Sequence, residues 1–229
     1  TLSGCKGGQT ATHGLGEMTI VQGIGIDLDK EKTAISIQYL DLGKGGGAAD
    51  SLNGNITTTA SGTADSIADA LSSTSKTLSQ EIFLGQNKLI IFGSKYATNG
   101  IEKGLDFLLR SVASRPDVAV AMSSSKAEDI IKNKGNDVRV PAENVFNLLR
   151  LGEKSGLGAI VTVNDLLNLY SDKTSDIYLP VLKIKDEIVS CEGIAVFSKT
   201  EYQKTLSGDA CFGFLFVKNE IEGGTIVVK

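Results

Sequence analysis

The 229-residue chain has no tryptophan, one histidine, two methionines, three prolines and three cysteines. Each shortage removes a class of function. With His13 alone, no site can be built from two or more histidines, as the common zinc hydrolases require. Recognition by indole stacking is absent. Three cysteines with no C-x-x-C pair exclude a zinc ribbon and a thioredoxin-type redox motif. A basic excess is also missing: 23 Lys and Arg stand against 27 Asp and Glu, giving net charge -4 and a pI of about 5.1, with no basic stripe. Nucleic acid is therefore not an expected partner. No apolar run approaches the ~18 residues of a membrane-spanning helix.

What is present is ordinary globular composition, 41% hydrophobic and 22% charged, neither disordered nor collagen-like. The length fits one large or two small domains. A chain of this size buries about 70% of its unfolded surface and can form a core without staples.

The strongest chemical signal is at the N-terminus. Leu2-Ser3-Gly4-Cys5 has the form of a bacterial lipobox, with small residues just before the cysteine. The Cys5 thiol would carry a diacylglyceryl group, and at about 0.8 kcal/mol per buried CH₂ two acyl chains anchor stably where one is marginal. The basic and apolar regions of a signal peptide are missing, so the chain is expected to begin just before the cleavage site. Residues 6–16, KGGQTATHGLG, form a Gly/Thr-rich tether able to reach about 37 Å when extended. His13 falls in this tether, where a catalytic imidazole would be poorly positioned.

Period-two alternation of Met18, Ile20, Ile24, Ile26 and Leu28 predicts a strand, and Ile35, Ile37 and Tyr39 predict its hairpin partner across the charged DLDKEK turn. Residues 43–54 form a Gly-rich loop, and NITTTASG is an expected edge strand. A helix is predicted over 63–79, with Thr63 as its N-cap and Ile67, Leu71 and Leu78 on one face. KLIIFG is a buried strand. Ile101, Leu105, Leu108, Leu109 and Val112 mark a helical stripe ended by Pro116. DVAVAM is the next strand, and Ser123, Ser124 and Ser125 offer an N-cap for AEDIIK. A helix starts at Pro141 and breaks at GLG, and Thr162 or Asn164 opens another. Strands follow at 178–184 and 188–197. CFGFLFV fits a strand or a short helix. The chain ends in mid-strand pattern, from which more protein is expected to follow.

The polar stretch 133–140 is the best internal boundary. The expected class is α+β: two small mixed domains with largely antiparallel sheets flanked by helices, 1–16 being the tether, 17–136 the first domain and 137–229 the second.

Other motifs have plainer readings. Gly23 and Gly25 form a G-x-G, but Leu28 stands where a dinucleotide fingerprint needs glycine. GKGGG lacks P-loop spacing. Asp27, Asp29 and Glu31 alternate as at the start of a calcium loop, yet Lys32 replaces the turn glycine and Gln38 the bidentate glutamate. A solvated hairpin tip is the expectation. The serine-rich stretches have no histidine nearby to activate a nucleophile. Cys191 and Cys211 lie in apolar runs as small buried hydrophobes, with a disulfide between them the alternative in an oxidising compartment. No cofactor, metal site or catalytic residue is expected.

Taken in order, LSGC at Cys5, IVQGIGIDLD at 20–29, EIFLGQNKLIIFG at 81–93, GIEKGLDFLLR at 100–110, IYLPVLKI at 177–184 and GIAVF at 193–197 resemble the C-subunit lipoproteins of spore germinant receptors, the Ger(x)C family. Gln86 departs from a histidine frequent in that family. The resemblance implies a lipid-anchored protein of three domains, of which this chain holds the first two, on the outer face of the spore inner membrane. It implies no enzymatic activity, no cofactor, and two membrane-embedded partners, the A and B subunits of the receptor, with a role in receptor assembly or signalling. A lipid-anchored solute-binding protein of a transporter is the alternative from another class. It would need a ligand cleft between domains. A lipid-anchored hydrolase with grouped, pKa-shifted carboxylates is the third reading.

Overall fold

A computed structural model describes residues 18–41, 56–78, 80–110, 115–133, 140–221 and 223. Ten strands of the described residues join one sheet: β1 (Met18–Asp29), β2 (Lys32–Leu40), β3 (Thr57–Ala64), β4 (Glu81–Phe83), β5 (Leu89–Phe92), β6 (Ala119–Ser123), β7 (Val161–Thr162), β8 (Tyr178–Lys185), β9 (Ile188–Ser198) and β10 (Glu201–Leu206). Its order is β10-β9-β8-β6-β5-β1-β2-β3, with β4 on β1 and β7 on β6. The outer pairs are antiparallel, while β1-β5, β5-β6 and β6-β8 are parallel. Among the described residues seven helices accompany it: α1 (Ile67–Ser75), α2 (Ser94–Thr98), α3 (Glu102–Arg110), α4 (Ala127–Lys132), α5 (Pro141–Ser155), α6 (Val163–Ser171) and α7 (Gly208–Lys218).

The class is α+β. The β1-β2 hairpin is the one the alternation predicts, and β8 and β9 fall on the strands expected at 178–184 and 188–197. Strands of both segments lie in this sheet. The β6-β8 ladder pairs Met122 with Val181 and Ser123 with Leu182, hydrogen-bonding strands from either side of 133–140. The expected boundary at 136/137 itself lies outside the described residues.

Two cores flank the sheet. On one face Ile24 and Ile26, Ile90 and Phe92, and Val120 and Met122 share a cluster with Ile67 and Ala70 of α1, Leu105 and Leu108 of α3, and Val163 and Leu166 of α6. On the other, Leu89, Ile91, Ala119, Ala121 and Leu182 meet Ile130 and Ile131 of α4 and Val145 and Leu149 of α5. Strands covered on both faces read as continuous apolar runs, and this is why LIIF is buried at all four residues.

The single alternation assigned to the first strand does not hold along its whole length. The β1-β2 register slips between Val21, opposite Tyr39, and Gly23, opposite Gln38. The extra residue, Gln22, makes a bulge that inverts which side chains face a given layer. Val21, not Ile20, therefore joins Ile24 and Ile26 in the first core.

Local signals placed other boundaries differently. Helix α1 starts at Ile67, not near Thr63, because Thr63 pairs with Ala34 in the sheet. Ser66 caps it instead, accepting from the Asp69 N–H at 3.1 Å and donating to Asp69 Oδ2 at 2.6 Å. In α3, Leu109 points outward from the buried stripe, and Val112 lies outside the described residues. CFGFLFV is helical, within α7. The GTIVVK end, the whole 43–54 loop and the 1–16 tether lie outside the described residues.

Candidate functional site

Cys5, the one residue with an assigned chemical role, and His13 lie outside the described residues. The other motifs are placed and serve the fold. Gly23 and Gly25 sit in β1 beneath α4 and α5. A Cβ on Gly23 would come within 2.9 Å of Ala142 Cβ, and one on Gly25 within 3.0 Å of Ile131 Cγ1. This G-x-G lets two helices approach a strand and leaves no room for a nucleotide.

Asp27 does not act with Asp29 and Glu31. Its carboxylate turns back into the fold and accepts from the N–H groups of Ala127 and Glu128, each at 2.9 Å. It caps α4 from a strand about a hundred residues earlier. The serine cap expected there is displaced: Lys126 is the N-cap and makes no side-chain cap bond, while Ser123 donates to the Lys126 carbonyl at 3.0 Å. Burial raises the Asp27 carboxyl above the usual aspartate range, and the two amides pull it partly back. Asp29 and the Lys30-Glu31 turn stay exposed at the hairpin tip. Among the described residues no group of three or more His, Cys, Asp or Glu is arranged to hold a metal ion.

Cys191 and Cys211 are free thiols. Cys191 approaches the Leu157 carbonyl at 3.6 Å, and Cys211 is buried in the larger core. Burial raises both, Cys211 to about 11 with Cys191 contributing. Thiols held protonated are poor nucleophiles. Gln86 lies exposed in the turn between β4 and β5.

Sequence reasoning missed the surface over α1. A groove of about 780 Å³ runs between α1, α3 and Tyr170. A second cleft of about 660 Å³ lies on the other flank of α1 against β4, and Ala68 borders both. Leu109 is 56% exposed and Tyr170 and Phe83 nearly 40% (39% and 38%). These side chains line the clefts with Phe107 and Leu71. Charges sit at the margin, including Arg110 Nε on Asp106 Oδ1 at 2.7 Å. Exposed apolar side chains gathered in a charged frame are what a polypeptide partner's side chains bury against. The outward position of Leu109 was the available signal, but a helical stripe that counts Leu109 inward hides it.

The spore germination protein N-terminal domain family matches residues 13–184. The chain belongs to the Ger(x)C family. Spore germination protein GerQC of Bacillus cereus is 24% identical over 161 residues, which are 70% of this chain and 45% of that protein. The crystal structure of the GerBC protein aligns with 90% of this chain and 58% of its own at 14% identity, with a TM-score of 0.48. The chain thus spans less than two thirds of either relative. Of the segments that carried the Ger(x)C resemblance, β1, β5, β8 and β9 are mostly interior. Two segments are double-sided: GIEKGLDFLLR buries Leu105 and Leu108 while Phe107, Leu109 and Arg110 line the groove, and EIFLGQNKLIIFG buries its LIIF while Phe83 lines the second cleft.

Proposed function

We propose that this Ger(x)C chain is part of a membrane-anchored, non-enzymatic subunit of a spore germinant receptor. Cys5 carries the lipid, residues 6–16 form the tether, and the folded part contacts the membrane-embedded A and B subunits at the outer face of the spore inner membrane. There it supports receptor assembly and nutrient-triggered signalling. The observation that carries the reading is the family match over residues 13–184. The exposed apolar groove over α1 and α3 supports binding over catalysis. Among the described residues, no helix is long and apolar enough to cross a membrane. The solute-binding alternative draws no support from the junction of the two segments, where a ligand cleft is needed: β6 and β8 are hydrogen-bonded there.

The test is affinity purification of the tagged full-length protein from gently solubilised spore membranes. Multi-spanning germinant-receptor subunits should co-purify, and Leu109→Glu should reduce their recovery without unfolding the protein. Recovery of a permease with its ATPase instead would establish a transporter component. Cys5→Ala should move the protein out of the membrane fraction when the partner subunits are deleted.

A further inference from the structure

Helix α7 is covered on one side only. Between Asp209 and Lys218 every residue is apolar or glycine, and a helix of that composition is ordinarily buried all round. Only Cys211 and Leu215 are buried, while in the last turn Phe216 is 68% and Val217 84% exposed. Phe212, one turn before Phe216, lies against Gly156, where a Cβ would come within 2.8 Å of its ring. The exposed Leu157 therefore borders the same face.

The charge beside this face decides what can cover it. Glu220 follows the last turn: its N–H donates to the Leu215 carbonyl at 2.9 Å, and its carboxylate accepts from the Tyr178 hydroxyl at 3.0 Å. With Glu153, Asp165 and Asp172 it lines a cleft of about 580 Å³, which no lysine, arginine or histidine of the described residues lines. Burial, then Glu220 and Asp165, raise the Tyr178 hydroxyl above the usual tyrosine range, as a concentration of negative charge requires. The Tyr178 ring already stands 5.7 Å from one ammonium, Lys218 Nζ. An anionic bilayer, which also takes exposed aromatic residues, is repelled by such a cleft. A second copy joined through the same face would set four carboxylates against four. A neutral or acidic protein surface gains nothing from it.

We propose that the last turn of α7 and the cleft beside it dock a basic, amphipathic polypeptide segment. Its lysine or arginine side chains enter between Glu153, Asp165, Asp172 and Glu220, and its apolar side chains cover Phe216 and Val217. The apolar contact supplies the burial, and the carboxylates choose the partner. Asp165, Asn168 and Asp172 share one face of α6. Tyr170 belongs to another face of that helix and lines the α1–α3 groove, so this is a second surface, on the other flank of α6.

The test is a fluorescence-anisotropy titration of the full chain, carrying Cys5→Ser, against a labelled peptide of about 14 leucine and lysine residues patterned for one apolar helical face. Saturable binding is expected, weakening at least about fivefold between about 50 and about 300 mM NaCl. Asn168→Lys should weaken it at least about tenfold, and so should Phe216→Ser combined with Val217→Ser. Asp29→Asn with Glu201→Gln removes two exposed charges elsewhere and should leave it within about twofold. Asn168, Phe216 and Val217 are exposed, so these variants should keep their urea midpoints; Glu153→Gln with Asp172→Asn, or Val217→Ser alone, serves if one does not. Absence of saturable binding up to about 200 µM protein overturns the proposal. So does equal binding of the matching leucine–glutamate peptide, or an equal loss in the Asp29→Asn, Glu201→Gln chain. Indifference to the Phe216 and Val217 changes, with full competition by spermidine, would mark a plain polycation site and overturn it as well.

Discussion

Gln38 is the most informative residue to change. It is 1% exposed and lies in β2 under the junction of α4 and α5. Its Nε2 donates to the Ile131 carbonyl at 2.9 Å, and its Oε1 accepts from the Ala142 N–H at 2.9 Å. Both partners are helix-end groups of the kind that no intrahelical bond satisfies. One amide therefore ties the last turn of α4 and the first turn of α5 to the sheet. Gln38→Leu keeps the volume and removes both bonds. It leaves a buried carbonyl and a buried N–H unpaired, at about 1–3 kcal/mol each. Some of this returns from burying an apolar side chain, so a net loss of about 3 kcal/mol is expected. For a chain of this size that lowers Tm by about 6–12 °C. Equilibrium urea unfolding followed by circular dichroism should show a lower midpoint at constant slope.

Gln38→Glu separates the two bonds by pH. An ionised glutamate accepts from Ala142 but faces the Ile131 carbonyl oxygen, so burial and that oxygen raise its folded pKa. A raised carboxyl contributes most below the unfolded value of about 4.3 and loses that contribution as pH rises through the folded one. The variant should thus approach wild type in acid and fall away towards neutrality. A Gln38→Leu protein within about 0.5 kcal/mol of wild type, the range of an ordinary surface change, would refute the reasoning.

Three further outcomes are expected. Gly93→Ala should destabilise by about 2 kcal/mol or more, because its Cβ would stand 1.8 Å from Asp27 Oδ1; in a double-mutant cycle with Asp27→Ala the clash, and so the penalty of the Gly93 change, should largely vanish. Ser36→Ala should stabilise by about 0.5–1 kcal/mol in the same urea assay, since the buried Ser36 hydroxyl has no hydrogen-bond partner among the described residues. Carboxyl NMR titration should find Asp172 near 2, held down by hydroxyls of Ser175 and Thr174 and the Thr174 N–H, and Asp27 above the usual aspartate value. By linkage the Asp172 contribution is present above the unfolded pKa and lost in acid, whereas the Asp27 contribution is present in acid and lost as pH rises through its folded value.

The elements that could be read from sequence are those whose cause is local. The Asp29–Lys32 turn, Pro141 at the start of α5 and the capping box of Thr162 with Asp165 each depend on residues within a few positions. Features that needed distant partners were invisible. The serines before α4 are competent caps, but Asp27 arrives from β1 and takes the place. Strand β10, the short β4 and α2 show no strong periodicity of their own. They form because β9, β1 and the end of β5 present partners. CFGFLFV alternates like a strand, yet only Cys211 and Leu215, four apart, are fully buried, and that spacing belongs to a helix.

The same distinction explains why the functional surface was harder to read than the fold. A core residue announces itself by period, because burial repeats with the geometry of its own element. The two clefts beside α1 are assembled from separate elements, and their apolar members interrupt patterns instead of making them. Leu109 sits beside a buried stripe in α3, Phe83 in a three-residue strand, and Tyr170 in the last turn of α6. Each alone is an unremarkable exposed hydrophobe; together they frame one surface. The β3 edge is the converse case. Thr57 to Gly62 were legible as an edge strand within NITTTASG, whereas Thr63 and Ala64 were read into the next helix; that β3 ends the sheet emerges only once the order of the strands is known. The exposed apolar side chains therefore direct experiment to the α1–α3 face, which no single element's pattern announces.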